Sequence, residues 1–310
     1  MSGALELSAV EQAELVRSGE LPARQLVEAS LQRIERLNPT VNAFVAVCAE
    51  RALAGADAIT PGDPRLLCGV PIGVKDLLSA TEGLPTTQGS AGFGDWVADH
   101  DTAHVRRLRA AGAIVVGKTN TPELGLRPAT ENQRFGPTRN PWNTSLSAGG
   151  SSGGSAAAAA TGMVGLAEGS DLGGSIRIPA SCCGLVGLKP SRGRVSIGPD
   201  YGTIGLGTPT DGVLTRTVLD TAAAMDAIAG YEPGDHHFLP TPETPFAIAA
   251  QRLPDRTPVT VALSAPLGVP IDPEPLAATR HAAEALADLG HDVRHGAPDW
   301  DDDAFPESWG

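Results

Sequence analysis

The chain has 310 residues, with 23 basic against 36 acidic side chains, a net charge of −13 at neutral pH. That balance argues against a nucleic-acid binder or a protein of anionic membrane surfaces, since both need a basic face. Apolar residues make up 41% and charged residues 19%, ordinary globular usage in a chain long enough to bury a core without disulfide or metal staples.

Ser8-Ala9-Val10-Glu11 has the form of a capping box before a short helix. A second helix follows Pro22, with Leu26, Val27, Leu31, Ile34 and Leu37 on one stripe and Asn38-Pro39 as its stop. VNAFVAVCA (41–49) and GVPIGVK (69–75) read as strands. His104 to Ala111 is helical, and Ala113 to Val116 is a short buried strand ended by Gly117. From Phe135 to Gly154 the chain is loop-like. Five alanines (156–160) then make a strong helix. An apolar strand at Val164–Ala167, a glycine turn at 169–175, a strand at Leu185–Leu188 and a helix at Thr217–Ala229 follow. The last unit is βαβ-like: a strand at 259–263, a helix with Asp272 as N-cap, Pro273 at N1 and Gly290 as its stop, and a strand from His291. Alternating strands and helices predict an α/β fold, a mixed central sheet covered by helices on both faces.

No apolar run approaches the ~18 residues that cross a bilayer, and the N-terminal stretch lacks the charged-then-apolar order of a signal peptide. The four cysteines (48, 68, 182, 183) include no C-x-x-C pair, which suits a reducing, cytoplasmic setting. The seven histidines show no H-E-x-x-H spacing, and no metal is expected.

The chemistry concentrates in two Gly-Gly-Ser motifs. One, Gly149 to Gly154, opens the alanine helix; the other runs from Asp171 to Arg177. A helix and a strand lie between Ser151 and Ser175, and such an out-and-back path can return the chain to its starting level. Without Cβ atoms a glycine turn lets a substrate carbonyl approach, and the N–H groups of Leu172, Gly173, Gly174 and Ser175 can form a nest for an oxyanion. No histidine lies near either motif in sequence. Lys75, closing an apolar strand, is the candidate base, because burial drives an amine towards its neutral form. Asp171 and Arg177 are expected to pair as structural ions, and Cys182 and Cys183 to be small buried hydrophobes. A glycine-rich turn is by itself usually only a turn, and a lysine closing a strand is usually solvated.

GVPIGVKD around Lys75, GKTNTPELG (117–125), FGPTRNPWN (135–143), AGGSSGGSAAA (148–158) and GSDLGGSIRIPASCCGLVGLKPSRGRVS (169–196) together resemble the amidase signature family. Within it the chain is similar to the general bacterial amidases, including the 6-aminohexanoate cyclic-dimer hydrolase subgroup. Ala159 departs from the larger residue usual there. The resemblance implies one amidase domain over 1–310, with a helical N-terminal segment (about 5–40), a signature core (about 65–230) and an incomplete unit at about 257–300. It implies a Ser-Ser-Lys triad: Ser175 as nucleophile, Ser151 as the bridge through a cis Gly150–Ser151 peptide, and Lys75 as base. Ser152 would support the bridge. The implied activity is cofactor-free hydrolysis of a small linear amide through an acyl-enzyme, without nucleic acid or membrane as partner and with a homodimer as the expected assembly. Family members usually run well beyond this chain's end, which implies a C-terminally truncated product. Two alternatives stay open at this point: the amidase component of a glutamine-dependent amidotransferase, and an inactive truncated remnant.

Overall fold

The capping box is formed. The Glu11 N–H donates to Ser8 Oγ at 3.2 Å and the Ser8 N–H to the Glu11 carboxylate at 2.8 Å, starting helix α1 (Ala9–Ser18). Helix α2 (Ala23–Val41) buries Leu26, Val27 and Ile34 as its stripe requires, but it runs past the expected stop at Asn38-Pro39. A proline removes one helical hydrogen bond. Here the turn closes beyond it, where Asn42 takes a left-handed φ of 52° and gives its N–H to the Asn38 carbonyl at 2.7 Å.

The computed structural model describes residues 2–94, 96–252, 258–261 and 270–296. The chain divides into two compact units, Met1–Gln251 and Arg252–Gly310. In the first, the remaining elements are β1 (Phe44–Val47), α3 (Ala49–Asp57), β2 (Pro71–Lys75), α4 (Ala103–Ala110), β3 (Ile114–Thr119), β4 (Arg139–Asn140), β5 (Asn143–Ser147), α5 (Gly153–Ala160), β6 (Leu166–Asp171), α6 (Arg177–Cys183), β7 (Val186–Gly187), β8 (Thr210–Thr215), α7 (Val218–Ile228) and α8 (Phe246–Ala250). Six strands form one mixed sheet in the order β1-β3-β2-β6-β8-β7. β2 runs parallel to both β3 and β6, while β1, β8 and β7 pair antiparallel. Two apolar clusters pack around the sheet. One is built on α2, α3 and α5, the other on α1, α4 and α7. The mixed, helix-covered α/β sheet predicted from the alternation is therefore present.

Other local readings change: the strand expected over 41–49 is confined to Phe44–Val47, with Val41 ending α2 and Ala49 opening α3. Gly117 does not end its strand but lies inside β3, where a Cβ would collide with the Ala46 carbonyl of β1; glycine inside a strand marks close backbone approach. The loop-like stretch 135–154 carries the two-stranded β4–β5 ribbon. Every residue of β5 is exposed, so no alternation marks it as a strand. Finally, β6 begins two residues later than expected and extends to Asp171, so the glycine turn starts at its carboxyl end.

β2 and β6 are parallel neighbours, with Gly73 opposite Ala167. Their carboxyl ends, Lys75 and Asp171, therefore lie on the same edge of the sheet, where open α/β folds place their ligands.

In the second unit β9 (Val259–Val261) pairs parallel with β10 (Val293–His295) across helix α9 (Pro273–Asp288). Asp272 stands at the N-cap, Pro273 opens the first turn, and Gly290 has φ 89° just past the end, as the sequence indicated. The expected continuation of β9 through Ala262 and Leu263 lies outside the described residues.

Candidate active site

Lys75 is the last residue of β2, a strand buried at all five positions. Its side chain is fully buried and its Nζ donates to Ser151 Oγ at 2.8 Å and to Ser170 Oγ at 3.1 Å. Burial pulls its pKa down to about 8, against the opposing pull of Glu168, Asp211 and Asp171. The base candidate is thus neither solvated nor paired directly with a carboxylate through Nζ, and it exchanges its proton close to neutrality.

Ser151 sits in the glycine loop before α5, after a cis Gly150–Ser151 peptide. Thr130 holds this loop: its Oγ1 donates to the Gly149 carbonyl at 2.8 Å and accepts the Gly153 N–H at 3.0 Å. Helix α5 then runs away from the site and β6 returns to it, the out-and-back path expected between the two serine motifs. The Ser152 N–H donates to the Ser175 carbonyl at 3.0 Å, and Ser152 Oγ donates to the Ser170 carbonyl at 3.3 Å. These bonds join the Ser151 and Ser175 segments. Ser175 is half-buried, and its hydroxyl makes no hydrogen bond among the described residues.

The turn after β6 is organised by Asp171. Its carboxylate accepts the Gly174 N–H at 2.8 Å and the Ile176 N–H at 3.0 Å, and it takes the Arg177 guanidinium at 3.0 and 2.8 Å. Burial pushes this carboxyl up, but the guanidinium and the N–H donors outweigh that and hold it below the usual range. Asp171 and Arg177 form the structural ion pair expected. One oxyanion candidate is corrected here: Gly174 gives its N–H to Asp171. Of the four groups named, those of Leu172, Gly173 and Ser175 have no hydrogen-bond partner among the described residues. Cys183 is buried as expected, whereas Cys182 is exposed.

Sequence reasoning missed Ser170 and three buried ionisable residues nearby. Ser170 and Glu168 lie two apart on β6 and so share a face, and a polar pair at that period inside a buried strand was the available signal. Glu168 accepts the Lys75 backbone N–H at 2.8 Å and the Ser79 hydroxyl at 2.9 Å. His104 on α4 and Asp211 on β8 complete a group with Glu168 whose ligand-type atoms all lie within 4.8 Å. It does not suit a single ion. Nε2 of the ring faces Glu168 at 3.3 Å and Nδ1 faces Asp211 at 3.2 Å, and one metal cannot take both nitrogens of one imidazole.

Known proteins share this fold and much of this sequence. The chain is 43% identical over 308 residues to a 6-aminohexanoate-cyclic-dimer hydrolase of Paenarthrobacter ureafaciens, covering 97% of this chain and 60% of that relative. It is 40% identical over 304 residues to an acylamidase of Rhodococcus erythropolis, covering 95% and 62%. The solved structure of a 6-aminohexanoate cyclic dimer hydrolase complexed with substrate superposes with a TM-score of 0.89 at 42% identity, over 95% of this chain and 61% of that one. The chain thus spans about 60% of the length of the curated relatives it matches. A family model described as Amidase matches residues 25–306. A match over most of the chain, spanning the buried lysine and both serine turns, means that the chain belongs to the amidase family, the amidase signature enzymes.

Proposed function

We propose that the protein is an amidase that hydrolyses a small linear carboxamide through Lys75, Ser151 and Ser175, with 1–310 as one amidase domain. The observation that carries the reading is the fully buried Lys75, whose Nζ lies 2.8 Å from Ser151 Oγ. Neutral Lys75 takes the Ser151 proton as Ser151 takes that of Ser175, and Ser175 Oγ adds to the amide carbonyl carbon. The tetrahedral oxyanion receives N–H donors of the Leu172–Ser175 turn, excluding that of Gly174. Collapse breaks the C–N bond, and the relay runs backwards to protonate the leaving amine. The acyl group then sits on Ser175 as an ester. Water, losing its proton along the same path, adds to the ester and releases the acid.

No metal or cofactor enters these steps. One relative is by name a cyclic-dimer hydrolase, so ring-closed amides belong in the assay beside linear ones. The test is product release from linear carboxamides, anilides and a cyclic diamide by the wild-type chain and by Ser175→Ala. Turnover of a linear amide, lost in the variant, is the expected result. Turnover that survives in Ser175→Ala overturns the assignment.

A further inference from the structure

The buried face of β6 and β8 carries more charge than the proposed relay uses. Ser170 is paired with Asp211 across the two strands, and Glu168 lies two residues along the same face. Helix α4 covers this face and presents His104, 1% exposed. The ring spans the two carboxylates: Nε2 is 3.3 Å from Glu168 Oε1 and Nδ1 is 3.2 Å from Asp211 Oδ2. Both approaches are at ion-pair distance and neither is aligned as a hydrogen bond; the hydroxyls of Ser79 and Thr102 lie 3.3 and 3.4 Å from Nε2, and Nδ1 has no hydrogen-bond partner among the described residues. A neutral imidazole has one N–H and would leave one nitrogen facing a carboxylate lone pair. A protonated ring presents a donor to each side.

We propose that His104 is a positioning residue for Lys75: as an imidazolium between Glu168 and Asp211, it cancels one of the two carboxylate charges beneath the amine and keeps Lys75 able to shed its proton. This rests on the reading of Lys75 as the base. The charge balance is explicit. With His104 protonated and both carboxylates ionised, the trio carries −1; without the ring it carries −2. The other charged groups facing this region are Asp171 at the end of β6, Asp76 after β2 and Lys118 on β3, whose Nζ is held by the Ser79 carbonyl and Thr81 Oγ1. None of them touches the imidazole nitrogens. Burial disfavours charge on the ring, and Asp211 and Glu168 outweigh it, so the His104 pKa stands above its usual value.

The chain has three lysines, at 75, 118 and 189, so the Lys75 signal can be followed by NMR of protein labelled with ε-13C lysine, assigned with Lys75→Met. This reads the proton on Lys75 without turnover. In His104→Gln the midpoint moves up by about 1 pH unit or more, because an uncancelled carboxylate favours the ammonium. In His104→Gln/Asp211→Asn the trio returns to −1 and the midpoint returns to the wild-type value. A merely structural histidine predicts a double variant at least as perturbed as the single one. An unmoved midpoint in His104→Gln, or no return in the double variant, overturns the proposal. Should His104→Gln not fold, 15N NMR of the wild-type imidazole decides: two protonated nitrogens at pH 7.5 support the bridge, and a neutral ring overturns it. Failure of the amidase reading appears separately, as unlabelled Ser175 in a serine-probe experiment while these midpoints behave as stated.

Discussion

A lysine amine in water keeps its proton well above neutral pH, and a serine hydroxyl holds its own more tightly still. The site meets both problems by placing Lys75 where it loses hydration and gains only neutral hydroxyl partners, Ser151 and Ser170. Since the amine must be neutral to accept a proton, kcat/KM should rise about tenfold per pH unit and level off near pH 8, where Lys75 deprotonates. A profile flat from pH 6 to 9 would contradict that role. Ser175→Ala and Lys75→Ala should each lower turnover by ~10³-fold or more, since members of a relay fail together, with the circular dichroism spectrum unchanged. Asp171 acts on the backbone instead: Asp171→Asn weakens its bonds to Arg177 and to the Gly174 and Ile176 N–H groups. Its expected effect is a loss in kcat, measured by steady-state kinetics, exceeding any change in KM.

At the scale of elements, the site depends on strand ends meeting a glycine loop. β2 and β6 deliver Lys75 and Asp171 to one edge because they are parallel neighbours, and α5 returns the chain from Ser151 to β6. Gly117 allows β1 to lie against β3. Gly117→Ala should therefore cost about 1–3 kcal/mol, as overfilling does elsewhere, read as a lower thermal midpoint. A midpoint equal to wild type would mean that β1 can move away freely. Much of this is legible in the sequence. The serine turns, the strand-ending lysine and the α9 caps are local signals of glycine, charge and spacing, and they survive without tertiary knowledge. What is not legible has a physical reason in each case. β5 is exposed at every position and β4 is only two residues long, so neither shows an alternation. Gly117 punctuates a strand in sequence yet continues it in space. His104, Glu168 and Asp211 come from α4, β6 and β8, and no local pattern connects three residues that meet only when those elements pack. Gly174 has the sequence of an oxyanion donor, but the Asp171 carboxylate claims its N–H once the turn is folded.

For the whole molecule, burying Lys75 and Lys118 has a consequence for stability. Burial brings both folded-state pKa values from 10.5 down to about 8. Below pH 8 both states hold the protons and the folded state bears the desolvation cost in full. Between about 8 and 10.5 the unfolded chain binds more protons, so stability rises with pH. The rise amounts to about 3 kcal/mol per lysine. Urea unfolding at pH 7.5 and 10 should show it, and Lys118→Met should remove about half. Stability that falls across this window in wild type, with no difference in the variant, would contradict the burial of these amines. Among the described residues no helix is long and apolar enough to cross a membrane.

The central claim is that Ser175 is an activated nucleophile. Intact-mass spectrometry of the 310-residue chain after exposure to a fluorophosphonate probe, with Ser175→Ala and Lys75→Ala alongside, tests it most directly. A single stoichiometric adduct on wild type, absent from Ser175→Ala and strongly slowed in Lys75→Ala, is the result expected. A folded wild-type chain that takes up no probe, or an adduct that persists in Ser175→Ala, would contradict it.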